Sequence, residues 1–249
     1  MRLFIEVSYL GKNYHGWQIQ PNAITIQEML EDGLSKLSGK PVRIHGSSRT
    51  DSGVHARQQF AHVDLEELPM KPGDLVWKMN SFLPADISVI RIIPVSQEAH
   101  SRFDAISRKY IYRISMKKNV FRIEDVLYFR KEPDVKRMNE AAQIVFQHTD
   151  FQCFSKVKTD VNNFDCEIME AEWQWNEDIL EFHIKANRFL RGMVRAIVGT
   201  LLDVGLGKMN SQEFENIILS KSRNRAGVAA EAHGLTLEEV NYPEKYFIS

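Results

Sequence analysis

Over the first hundred residues the apolar side chains switch between the period of two expected of a strand and the period of about 3.6 expected of a helix. The order of those switches constrains the fold more than any other feature of the chain. Leu3, Ile5, Val7 and Tyr9 alternate with more polar neighbours, Phe4 apart, which predicts a half-buried strand over Arg2–Tyr9. Thr25 with Glu28 forms a capping-box pattern ahead of Ile26, Leu30, Leu34 and Leu37 at helical spacing, and Gly39 with Pro41 stops that helix. Strands are predicted over 42–46 and 59–64, a helix over 74–82 and a strand over 87–93. The resulting order, β-α-β-β-α-β, is the ferredoxin-like split arrangement.

The second half is predicted to repeat it. A strand over 109–115 precedes a helix over 135–146, then strands over 168–175 and 179–186 joined by a short hairpin connection at Asn176 to Asp178. Helices over 189–204 and 211–219 and a closing strand over 235–242 complete the chain. No sequence repeat accompanies this order, so the duplication rests on the elements alone. The expected fold class is α/β in the α+β sense: two ferredoxin-like βαββαβ halves, 1–104 and 105–249, with a cleft between them. With 249 residues and 43% apolar content, the core can be large. No stretch approaches the roughly 18 apolar residues of a membrane span, and residues 1–7 lack the apolar block of a signal peptide, so a cytoplasmic protein is expected.

Between the strands at 42–46 and 59–64 lies a loop in which Asp51 falls between Arg49 and Arg57. Either guanidinium can hold the carboxylate oxygens in a fixed direction through charge-assisted bonds. Gly53 reaches backbone angles closed to other residues, and Ser47, Ser48, Thr50 and Ser52 can bond the backbone locally, so the segment reads as an ordered turn. A prepared nucleophile or base fits this pattern, and so does an Asx-turn with a structural ion pair.

Tyr110 follows Arg108 and Lys109 on the strand opening the second half, and alternation places it on one face with Tyr112 and Ile114. It reads either as a core tyrosine or as a platform on which a base stacks, worth about 1–3 kcal/mol per base. Arg188, Arg191 and Arg195 stand at i, i+3 and i+7 around the start of the helix expected over 189–204, a cationic ridge suited to a carboxylate or a phosphate. Solvation of a helix surface is the other reading. From Arg102 to Arg137 there are eleven Lys and Arg against five Asp and Glu, which leaves −7 on the rest of a chain of net charge −1. A basic patch on an acidic body suits a polyanion engaged at one place. His45, His55 and His62 match no common zinc spacing, and Cys153 and Cys166 form neither a Cys-x-x-Cys pair nor a disulfide framework, so no metal is expected and both cysteines read as buried thiols.

The run Arg49-Thr50-Asp51-Ser52-Gly53-Val54-His55-Ala56 resembles the R-T-D-[AS]-G-V-H-A signature of the tRNA pseudouridine synthase A (TruA) family. Further similar segments follow in order: Gly16-Trp17-Gln18 with Gln20-Pro21, Arg108-Lys109-Tyr110-Ile111-Tyr112, Phe189 to Arg195 with Ile197-Val198-Gly199, Ala226-Gly227, and His233-Gly234-Leu235. The resemblance implies two subdomains of RNA-recognition-like topology joined through a central, mainly antiparallel sheet, and a symmetric homodimer whose subunits both contact one tRNA. It implies conversion of uridines 38, 39 and 40 of the anticodon stem-loop to pseudouridine without a cofactor. Asp51 then supplies the essential carboxylate, Arg49 helps displace the target base, and Arg195 pairs with Asp51 from the opposite half. Tyr110 stacks on the uracil, leaving Tyr112 to the core, while Arg57, Arg108, Lys109, Arg188 and Arg191 serve substrate binding. The chain departs from the family pattern A-G-x-T-A-P-A-x-G-L at Ala229 and Glu231, which stand where Thr and Pro are expected. Trp17 fits either the core or an RNA-facing surface.

Two other functions compete. A non-catalytic tandem RNA-binding module would need the aromatic pattern of RNA-recognition strands, which the predicted strands lack. A carboxylate-dependent hydrolase would need a second acid, which Asp64, Glu66 or Glu67 can supply.

Overall fold

The alternation and the capping signals read above take physical form in a computed structural model that describes residues 1–157 and 163–248. Its strands are Arg2–Tyr9 (β1), Ile44–Gly46 (β2), His55–Asp64 (β3), Ile87–Val95 (β4), Ser107–Ser115 (β5), Leu127–Tyr128 (β6), Ile168–Asn176 (β7), Ile179–Ala186 (β8) and Leu235–Asn241 (β9). Its α-helices are Ile26–Ser38 (α1), Pro72–Phe82 (α2), Val135–Ala142 (α3), Met193–Gly205 (α4) and Ser211–Ser220 (α5). The class is α+β with mixed pairing: β5 and β6 are parallel, whereas β1 with β3 and β4, β2 with β3, and β8 with β5 and β7 are antiparallel. Two compact units emerge, one of Met1–Ile106 with Leu237–Ser249 and one of Ser107–Thr236. Among the described residues no helix is long and apolar enough to cross a membrane.

In the first unit the strand order is β4-β1-β3-β9, with β2 also paired to β3. The start of α1 is set where the sequence places it: the Thr25 hydroxyl accepts the Glu28 N–H at 3.3 Å, and Gly39 ends the helix at φ 70°. Leu3, Ile5 and Val7 are buried, as are Leu30 and Leu34 of α1 and Leu75 and Met79 of α2. Phe4 breaks the alternation because the other face of β1 is covered too. Its ring meets Tyr242 at 5.0 Å and Phe247 at 6.3 Å, so the tail after β9 closes that face. Strand β3 begins at His55, four residues earlier than expected, since Tyr9 of β1 pairs with Ala56.

The second unit has the order β5-β8-β7. Tyr112, Phe182, Ile184 and Trp173 are buried from its strands, with Met138 of α3 and Ile197 and Leu201 of α4. Facing the other way, Arg113 and Glu181 form a buried ion pair at 2.9 Å. Helix α3 ends at Ala142 and continues as a 3-10 helix over Gln143–Gln147, where a single helix was expected. A larger correction concerns the arginine ridge. Gly192 adopts φ 73° and caps α4, so the helix starts at Met193 and Arg188 and Arg191 lie ahead of it. Only Arg195 is helical, and no three-arginine helix face exists. Burial pushes the thiols of Cys153 and Cys166 up to about 12 and about 11, and both are free and buried, as expected.

His45 stacks on His62 at 4.9 Å across the β2–β3 pair, and His62 Nδ1 accepts the Ser101 N–H at 3.2 Å. Burial first, and then the charges of His100, Arg2 and His45, push His62 from 6.5 down to about 4. The folded state therefore holds this ring neutral where the unfolded chain would protonate it. Its stability contribution is complete above pH 6.5 and is lost as the pH falls toward 4. The melting temperature is expected to drop across that window, and less steeply in His62→Asn, which keeps an acceptor but does not titrate. Equal slopes in the two proteins would place the titrating group elsewhere.

Candidate active site

The loop carrying Asp51 is built by close backbone approach. Gly11 and Gly16 leave no room for a side chain: a Cβ at Gly11 would sit 2.0 Å from the Val54 carbonyl oxygen, and one at Gly16 would sit 2.5 Å from that of Thr50. Gly16 also holds φ 85°, a left-handed angle glycine adopts without strain. Lying this close, residues 11–17 bond the loop repeatedly. The Trp17 N–H donates to the Thr50 carbonyl at 3.1 Å, and Gly53 N–H and Ser52 Oγ donate to the Tyr14 carbonyl at 3.3 and 3.2 Å. Gly11 N–H donates to His55 Nδ1 at 2.9 Å, which makes the buried His55 a structural acceptor. Tyr9 and Thr50 share a buried hydroxyl bond of 2.8 Å. Within the loop, Val54 N–H closes a turn on the Asp51 carbonyl at 3.1 Å.

The other shoulder of the loop is held by Gln59, fully buried on β3. Its Oε1 accepts the Ser47 hydroxyl at 2.7 Å and its Nε2 donates to the Ser48 carbonyl at 2.8 Å. Trp17, left open between core and surface, is 2% exposed and seals the base of this structure: a Cβ at Gly46 would sit 2.3 Å from its indole nitrogen. On this frame Asp51 is half-buried and Arg49 is exposed. Arg57, the second cation expected near Asp51, forms an ion pair with Glu238 at 3.2 Å.

In the second unit Tyr110 is 8% exposed and packs edge-to-face on Phe189 at 5.2 Å. Tyr112 is fully buried. The neighbouring cations are engaged within the unit: the buried Arg108 donates to the Asn187 carbonyl at 2.8 Å, and Lys109 meets Glu170 at 2.8 Å. Arg191 is exposed in the segment before α4, and its carbonyl accepts the Lys156 N–H at 2.9 Å. Arg188 is half-buried in the same segment. Arg195 Nε donates to the Ala230 carbonyl at 2.6 Å.

A family model described as tRNA pseudouridine synthase matches residues 5–104 and 141–243. The chain is 49% identical over 249 residues to a tRNA pseudouridine synthase A of Parabacteroides distasonis, covering 99% of this chain and 98% of that one. The chain belongs to the tRNA pseudouridine synthase A family. Related proteins of the same name include one of Porphyromonas gingivalis, 45% identical with 99% of both chains covered. Another, of Bacillus pumilus, is 38% identical over 97% of this chain and 99% of its own. The family likeness thus embraces both compact units.

Sequence reasoning singled out the charged residues of the loop and missed what shapes it. His55 and Gln59 are polar residues on a strand whose neighbours Ala56, Phe60 and Ala61 are buried, and a buried polar side chain signals a bonded partner. Replacing Gln59 by Leu removes its two bonds, to the buried Ser47 hydroxyl and the half-buried Ser48 carbonyl. A loss of about 1–3 kcal/mol is expected, from roughly 0.5–1.5 kcal/mol per hydrogen bond for two bonds. Urea denaturation measures it, and a loss below about 0.5 kcal/mol would show that the loop does not depend on this side chain.

Proposed function

We propose that the chain isomerises uridines at positions 38, 39 and 40 of the tRNA anticodon stem-loop to pseudouridine, without a cofactor. The observation that carries this reading is the immobilised Arg49-Thr50-Asp51-Ser52-Gly53 loop in a chain related to tRNA pseudouridine synthase A proteins over its full length. In the reaction the bond from uracil N1 to ribose C1′ breaks, the base turns, and C5 bonds to C1′. The proton leaving C5 is balanced by one gained at N1.

Asp51 supplies the carboxylate, and its three routes are attack on C1′, addition to C6 and removal of a ribose proton. Arg49, exposed on the loop, helps displace the base from its stem, a step costing a few kcal/mol that contacts along the tRNA offset. Tyr110 presents its ring to the uracil, and Arg195 supplies a guanidinium to the reaction. Arg57, Arg108, Lys109, Arg188 and Arg191 complete the residues assigned to tRNA binding. The reading carries with it the family's two ferredoxin-like halves, dividing near residue 104, a symmetric homodimer whose subunits share one tRNA, and a cytoplasmic location.

Unmodified tRNA incubated with the protein is expected to gain pseudouridine. Asp51→Ala is expected to lose about 10²–10⁴-fold in rate while still binding tRNA. Mapping of pseudouridine and free uracil decides among the functions: uracil release identifies a hydrolase, and binding without modification by either protein identifies an RNA-binding module. Tyr110→Phe keeps the ring and removes the hydroxyl. Slower turnover at unchanged tRNA affinity is expected if that hydroxyl moves the C5 proton, and unchanged turnover excludes the role.

A further inference from the structure

Arg195 is bonded to main chain through both its side chain and its own backbone. Its Nε donates to the Ala230 carbonyl at 2.6 Å, while its own carbonyl accepts the Ala230 N–H at 2.9 Å, so two residues 35 apart in sequence exchange both bonds. This exchange works only if the segment 226–234 lies directly on α4, and two glycines permit that. A Cβ at Gly199 would sit 1.8 Å from the Val228 carbonyl oxygen, and one at Gly227 would sit 3.0 Å from Thr200 Cα. Gly227 N–H also donates to Thr200 Oγ1 at 3.0 Å.

The far end of the segment is held from the strand. Tyr112 Oη donates to the Glu231 carbonyl at 2.9 Å, and a Cβ at Gly234 would sit 2.8 Å from Tyr112 Cζ. Tyr112 has no exposed surface, so its ring cannot swing, and burial raises its pKa so that the hydroxyl keeps its proton. The carbonyl that holds Arg195 and the carbonyl held by Tyr112 belong to consecutive residues, Ala230 and Glu231. Fixing the second fixes the peptide plane next to the first.

We propose that segment 226–234 is a backbone clamp that orients the guanidinium of Arg195, and that Tyr112 is the positioning residue that locks the clamp. The inference rests on the reading in which Arg195 serves the reaction. An arginine side chain has several freely rotating bonds, and a bond from Nε to rigid main chain fixes the plane of its fork. Since a small displacement of such a group costs rate more than binding, the lock should act on kcat. Glu231 sits at φ −60°, an angle proline imposes, so proline at 231 would stiffen the same point by a covalent route.

The test uses the full chain and unmodified tRNA, with kcat and KM measured for Tyr112→Phe, Arg195→Ala, the double variant, and Tyr112→Phe with Glu231→Pro. Tyr112→Phe is expected to lower kcat about tenfold with KM changed less than about twofold. In the Arg195→Ala background it is expected to add nothing, because the group it positions is gone. Glu231→Pro is expected to restore most of the lost kcat. Independent, multiplying losses in the double variant, or an unchanged kcat in Tyr112→Phe, would overturn the inference. Full turnover in Arg195→Ala would overturn it together with the Arg195 assignment, while the Asp51→Ala experiment judges the isomerase reading separately. If Tyr112→Phe fails to fold, Gly199→Ala, which pushes Val228 off α4, takes its place in the same cross with the same deciding outcomes.

Discussion

The bond from the Trp17 N–H to the Thr50 carbonyl, made across a gap that only Gly16 can leave, is the constraint on which the first unit's loop depends. A loop of eight residues between two strands would otherwise sample many conformations, each residue costing about 1–2 kcal/mol to order. Here the ordering is shared among contacts to a neighbouring segment that is itself fixed by Trp17 in the core. Thr50 is bonded through its carbonyl and its hydroxyl, Ser52 through its hydroxyl, and Gly53 through its N–H. Asp51 therefore stands between residues that cannot move independently of the core, which is how a carboxylate on a loop acquires a defined direction.

The second unit uses the same device with different parts. Glycines at 199, 227 and 234 let one backbone segment lie on a helix and a tyrosine ring, and carbonyl groups of that segment then become fixed acceptors. In both units the polar groups that matter are main-chain groups, whose positions follow from the path of the chain and not from rotamer choice. A buried hydrogen-bond donor such as Tyr112 or Gln59 serves to fix that path. Side chains of that kind look like ordinary core residues until their partners are known.

Much of the fold was legible from periodicity because helix and strand spacing are local properties. The capping threonine of α1, the hairpin between β7 and β8, and the helices at 72–82 and 211–220 all lie where local chemistry puts them. The errors arose where a non-local contact or a single backbone angle overruled the pattern. Arginines at i, i+3 and i+7 fit a helical ridge, yet Gly192 turns left-handed and starts α4 late. Arg57, expected in the loop ahead of a strand at 59–64, stands instead on β3, which begins at His55, and pairs with Glu238. Trp17 had two equal readings because its burial depends on Gly46, a residue 29 positions away.

By itself the sequence determined the α+β class, the order of the longer strands and helices, the loop that carries Asp51 and the family, since each is written in residue types at short spacing; the two-residue β6 carries no such signal. Tertiary structure alone decided that residues after 236 join the first unit, that Gln59, His55 and Trp17 shape the loop, and that Tyr112 and Ala230 reach the neighbourhood of Arg195. The reason is physical: a glycine records that something comes close, but not what comes close, and a buried hydroxyl or amide records that it needs a partner, but not which carbonyl the folded chain will bring to it.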